Sequence, residues 1–120
     1  MSDKKLNFQI SNIPEYNGAA VYALVDDNGK RYIGSSNHLR RRIKSHNSYM
    51  RTALRTGHSG FLNDEIEKAL LNGANFKCEI LAQINTDVSK HELEEIERIF
   101  LKHYGGLENT YNIIPLKHKV

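Results

Sequence analysis

Two apolar runs stand near the start of the chain, AAVYALV from Ala19 to Val25 and KRYIGS from Lys30 to Ser35. Between them lies DDNG, Asp26 to Gly29, a turn sequence whose glycine supplies the positive φ that a tight hairpin needs. The pair predicts a β-hairpin. After Asn37, a suitable N-cap, the positions Leu39, Ile43, His46, Met50, Ala53 and Leu54 recur at the spacing of one helix face, and the helix should stop before Gly57. FLNDEIEKALLNG, from Phe61 to Gly73, repeats that period in a shorter helix with Gly73 as its stop. FKCEILAQI then alternates at strand period, with Phe76, Cys78, Ile80, Ala82 and Ile84 on one face. Ser89 and Glu92 make a capping box for a long helix to about Tyr104, closed by Gly105 and Gly106, and TYNII (Thr110 to Ile114) follows as a short tail.

The order β-β-α-α-β-α predicts an α+β domain: a small central sheet of three strands, containing an antiparallel pair, flanked by helices. Residues 1–17 are aperiodic and broken by Pro14, a lead-in that at most drapes over the fold. The domain itself is expected over 18–114, with 115–120 as a C-terminal tail.

Composition narrows the function classes without choosing among them. At 120 residues and 39% hydrophobic content the chain can build one core and is too short for two. Lys and Arg number 17 against 14 Asp and Glu, a formal charge of +3 that leans toward polyanions. Cys78 is the one cysteine, which excludes an intramolecular disulfide and a thiolate metal cluster and makes a reducing cytoplasm the expected setting. No apolar run approaches the length of a membrane span, and the N-terminus lacks the features of an export signal.

Some residues break the pattern. On the last helix, positions 93, 96, 97, 100, 101 and 104 form one face, apolar at Leu93, Ile96, Phe100, Leu101 and Tyr104 and acidic at Glu97. A carboxylate in a core-facing stripe costs on the order of several kcal/mol unless a cation or a metal meets it. Glu97 is therefore half of a buried salt bridge or a metal ligand. Glu94 borders the stripe as a second candidate ligand, whereas Glu92 and Glu95 project to solvent. On the first helix Arg40, Arg41, Lys44, Arg51 and Arg55 lie opposite the apolar face, as a solvated basic surface does. Arg42 sits at the stripe's border with His46 one turn on, so a guanidinium and an imidazole can address one target. With Glu97 they suit a phosphate and one metal.

Tyr22 and Tyr32 join that set only if they share a face of the sheet. A two-residue turn at Asn28-Gly29 pairs Val25 with Tyr32 and separates the phenols. A three-residue loop, Asp27-Asn28-Gly29 with a left-handed Gly29, pairs Leu24 with Tyr32 and brings them together. The sequence permits both registers.

With these residues assembled, the chain resembles the GIY-YIG nuclease family from Ala20 to about Ile113. Ala20-Val21-Tyr22 stands where that family has Gly-Ile-Tyr, Tyr32-Ile33-Gly34 matches its YIG outright, and Arg42 and His46 supply an R-x-x-x-H. Glu97 and Asn112 fall at the places of the family's metal-binding glutamate and late asparagine. The resemblance implies a metal-dependent endonuclease that hydrolyses DNA phosphodiester bonds at a single-metal site, of repair, restriction or intron-mobility type. It implies Mg2+, with Mn2+ as an alternative, held by Glu97; catalytic roles for Tyr22, Tyr32, Arg42, His46 and Asn112; and secondary electrostatic support from Lys30. Many members carry a separate DNA-binding region, so such a region or a partner protein is expected beside this domain.

Two assignments stay open at this point. The family's GIY tyrosine is a favoured general base, which points to Tyr22, but a phenol of pKa about 10 is poorly matched to neutral pH and His46 is the better chemical match. The competing function class is a non-catalytic nucleic-acid-binding module on the same fold. Glu97 weighs against it, because an inward carboxylate repels phosphate unless a metal intervenes. The nuclease is the favoured reading.

Overall fold

The computed structural model of the chain describes residues 8–113. Strand β1 (Ala19–Asp26) is the centre of a three-stranded antiparallel sheet, with β2 (Arg31–Ser36) on one side and β3 (Phe76–Ile84) on the other. The central place follows from its composition: Ala20 to Val25 are all buried, so β1 is covered on both faces. Helices α1 (Leu39–Thr56) and α2 (Asp64–Leu71) lie between β2 and β3 in the chain, and α3 (Lys90–His103) follows β3. The expected α+β order β-β-α-α-β-α is the one observed.

The hairpin adopts the three-residue loop. Leu24 pairs with Tyr32, Gly29 has φ 86°, and the Gly29 amide donates to the Asp26 carbonyl at 3.1 Å. Asp26 stiffens the loop further, its Oδ1 accepting from the amides of Asn28 (2.8 Å) and Lys30 (2.9 Å). Tyr22 and Tyr32 consequently share a face.

That face carries the larger core, in which Ala20, Tyr22 and Leu24 pack against Leu39, Ile43, Met50 and Leu54 of α1 and Ile66 and Leu70 of α2. On the other face Val21, Ala23, Val25 and Ile33 are covered by α3 through Ile96, Phe100, Leu101 and Tyr104. A single helix spread over one face of a small sheet cannot seal it. Of α3 only Leu93 is fully buried, so Glu97 is a half-buried groove residue rather than a carboxylate deep in a core stripe.

Other expectations are corrected by long-range contacts. The N-cap of α1 is His38 rather than Asn37, and its side chain makes no cap; instead Asn17 Oδ1 accepts from the Arg41 amide at 3.0 Å and the Gly18 carbonyl from the Leu39 amide. In β3 a bulge opposite Val21 and Tyr22 shifts the register after Ile80, so Ala82, expected on the face of Phe76 and Cys78, pairs with Val21 and packs against the other core; Ile80, also expected to face inward, pairs with Tyr22 and is 40% exposed. The described part of the lead-in does more than drape. Phe8 and Ile10 enter the core, Ser11 bridges to β3 through the Phe76 carbonyl and Cys78 amide, and Arg51 of α1 donates to the Phe8 carbonyl at 2.7 Å. Arg40 holds the same segment at the Pro14 carbonyl, so two of the cations read as a solvated surface are structural anchors. The expected tail 115–120 lies outside the described residues.

Candidate active site

Tyr22 is the pivot of the site, projecting from the middle of β1 and 1% exposed. Its ring lies against β2 because the residue opposite in the register is Gly34. A Cβ at that position would stand 2.6 Å from both the hydroxyl oxygen and the ring carbon bearing it, closer than any real contact. Gly34 is thus a space for Tyr22.

His46 reaches the same point because α1 presents it between Ile43 and Met50 on its core-facing side. The Tyr22 hydroxyl lies 2.8 Å from His46 Nε2, and the rings of Tyr22 and Tyr32 meet the imidazole edge-on at centroid distances of 5.9 and 5.8 Å. Among the described residues Nδ1 of this ring has no hydrogen-bond partner. Burial, with a smaller push from the Arg42 charge, lowers the His46 pKa to about 4, so the ring is neutral at neutral pH. Burial and then the neighbouring Tyr32 push the Tyr22 phenol far above its ordinary range, with Arg42 pulling the other way. Tyr32 is raised as well, by burial and by Glu97.

Arg42 is exposed, its guanidinium beside the phenols of Tyr22, Tyr32 and Tyr49. Across the groove, Glu97 of α3 accepts a hydrogen bond from the Ser35 hydroxyl at 2.7 Å, which meets part of its need for a polar partner. Asn112 works on the backbone: its Oδ1 accepts from the Ile33 amide at 2.9 Å and its Nδ2 donates to the Ile33 carbonyl at 2.8 Å. A side-chain amide thereby takes the place of a neighbouring strand at the outer edge of β2, between Tyr32 and Gly34.

Tyr22, Tyr32, Arg42, His46, Glu97 and Asn112 therefore line one groove of about 630 Å3, although they come from five separate parts of the chain. Lys30 does not join them: its Nζ lies 4.5 Å from the centre of the Tyr111 ring, by the hairpin loop. Glu94 lines the same groove as Glu97.

A model of the GIY-YIG catalytic domain matches residues 18–112 of the chain. The chain belongs to the GIY-YIG family. No curated protein and no solved structure matches it at a significant level. The GIY-YIG domain is characteristic of nucleases, and no helix among the described residues is long and apolar enough to cross a membrane.

Two residues that shape the groove of this GIY-YIG domain escaped sequence reasoning. Gly34 was legible only as a match to a motif; a glycine inside a strand that faces an aromatic is the signal for a close approach. Ser35 carries no signal, since its role exists only because α3 brings Glu97 to it. The lone Cys78 is buried, and burial, followed by Glu79, pushes its thiol up to about 11, so it offers no thiolate near neutrality.

Proposed function

We propose that this GIY-YIG domain hydrolyses phosphodiester bonds of DNA in the groove, with Mg2+ or Mn2+ as cofactor. The observation that carries the reading is the hydrogen-bonded pair of Tyr22 and His46 lining a groove that also holds a permanent cation and a carboxylate. Among the described residues no group of three or more His, Cys, Asp or Glu gathers, so the groove offers no cage of protein ligands. Magnesium suits what it does offer, because it binds through one or two carboxylates, keeps several waters and takes oxygens from a substrate phosphate. Glu97 would hold it, with Glu94 as the other carboxylate of the groove. A bound ion supplies positive charge to the phosphoryl and leaving-group oxygens.

The remaining work falls to the chain. Arg42 brings a permanent charge into the groove and stabilises the extra negative charge of the transition state; loss of such a donor typically costs about 10²–10³ in turnover. The attacking water gives its proton to the Tyr22 oxygen while the phenol passes its own to His46 Nε2, so the two candidate bases act as one unit. Neither is well suited alone. The buried phenol does not ionise near neutrality, and the Nε2 of the neutral imidazole is already engaged by Tyr22. Asn112 positions the strand that carries Tyr32 and Gly34. This reading sets the domain in the cytoplasm, alone or beside a DNA-binding region or a partner protein.

The test is plasmid nicking in Mg2+ and in EDTA. Wild-type protein should nick only with the divalent ion, and Tyr22→Phe and Glu97→Gln should each lose at least about a hundredfold in turnover while still binding DNA. A folded wild-type protein that binds DNA and never nicks it would be a binding module.

A further inference from the structure

Phe61 is 75% exposed, the most exposed of the large apolar side chains among the described residues. It is not on a slack loop. Glu67 of α2 accepts from the Ser59 amide at 2.9 Å and meets His58 Nδ1 at 2.9 Å, while Asn63 caps α2 and donates to the Tyr111 carbonyl. The segment from 58 to 63 is thereby pinned on both sides of Phe61, and the ring is held in solvent where burial would have stabilised it.

Among the described residues its one ring neighbour is Tyr49, stacked at a centroid distance of 4.9 Å and an interplanar angle of 23°. Tyr49 lies on α1 three residues after His46 and close to the Arg42 charge, so the stacked pair continues the row of site residues along that helix. Phe61 also lines the catalytic groove, as do Leu107 (39% exposed) and Ile113 (58% exposed). Three of the six exposed large apolar side chains among the described residues, Phe61 the most exposed of them, thus lie on the groove that also holds Arg42, Lys90 and Arg98. An open aromatic face beside cations is the surface on which a nucleobase stacks, while a base within an intact duplex has no face to offer.

We propose that Phe61, braced by Tyr49, stacks with an unpaired base next to the scissile phosphate, so that the substrate is DNA containing an unpaired nucleotide, such as a bulge, flap or fork, in preference to intact duplex. The proposal rests on the nuclease reading for its location but is tested by binding, so the two fail separately.

The probe is a pair of duplexes of one sequence, fully paired or with one bulged 2-aminopurine, titrated in EDTA so that no turnover is needed. The chain has no tryptophan, which leaves 2-aminopurine emission clear. Wild-type protein should bind the bulged duplex more tightly and quench its fluorescence. Phe61→Ala should weaken bulged binding about 5- to 100-fold and abolish the quench, with a much smaller change on the paired duplex. Phe61→Leu should fail likewise, because it keeps apolar bulk and lacks a ring, whereas Phe61→Tyr should restore both signals. An equal loss on both duplexes, or none on either, overturns the proposal. So does a Leu variant that behaves as wild type, which would make the patch a docking surface for protein. Melting temperatures establish that each variant is folded.

Discussion

Acid should unfold this domain through His46, and replacing that one residue should remove much of the sensitivity. The ring titrates at about 6.5 in an unfolded chain and at about 4 in the fold, because burial and Arg42 disfavour its cation. At pH 7 the ring is neutral in both states and contributes nothing to pH dependence. As pH falls below 6.5 the unfolded chain takes up a proton that the folded chain refuses, so stability declines until about pH 4. At 1.36 kcal/mol per pH unit, the loss between pH 7 and 4 is about 3 kcal/mol. For 120 residues, with an unfolding entropy of about 2.1 cal/mol/K per residue, that is about 12 °C in Tm. The comparison is His46→Gln, whose amide oxygen can accept from the Tyr22 hydroxyl without titrating. Other groups also respond to acid, including Glu67 and Glu92, whose pKa values are lowered by His58 and by the Ser89 cap, and His58, which is raised by Glu67. They are common to both proteins and cancel in the difference. Thermal melts at half-unit steps from pH 7 to 4 should show wild type falling about 12 °C further than the variant. Parallel curves would mean that the ring is not held neutral, and the proton relay from Tyr22 would fall with that premise.

Three further outcomes follow from the geometry. Gly34→Ala forces a methyl onto the Tyr22 ring and should cost about 1–3 kcal/mol by thermal melting. Its nicking activity should fall with the displaced phenol, and Gly34→Ala with Tyr22→Phe should not recover stability, since a ring carbon clashes as closely as the oxygen does. Asn112→Ala removes two hydrogen bonds to Ile33 and should destabilise by about 2 kcal/mol, with faster hydrogen exchange at the Ile33 amide; unchanged exchange would show that the edge of β2 is held otherwise. DNA affinity should fall steeply between 50 and 200 mM salt, read by anisotropy, and a flat response would mean that phosphate contacts do not dominate.

The elements of this protein were legible because each is encoded locally. The 3.6-residue stripe from Leu39 to Leu54, the Ser89–Glu92 capping box and the apolar run of β1 state their own conformation within a few residues. Residues of the candidate groove were legible where a residue type contradicted such a pattern, as His46 and Glu97 do. What depended on two distant segments meeting was not. The hairpin had two permissible registers, and the cores packed on β1 select the one in which Tyr22 and Tyr32 share a face. The cap of α1 comes from Asn17, outside the helix it serves, and Ala82 crosses to the other face because a bulge opposite Val21 and Tyr22 resets the alternation. Ser35 matters only because α3 lays Glu97 on it, and Phe61 faces solvent only because Glu67 pins its loop from the following helix. Periodicity is a property of the backbone over a turn or two; a site is a property of which faces pack together, and only the packed structure selects them.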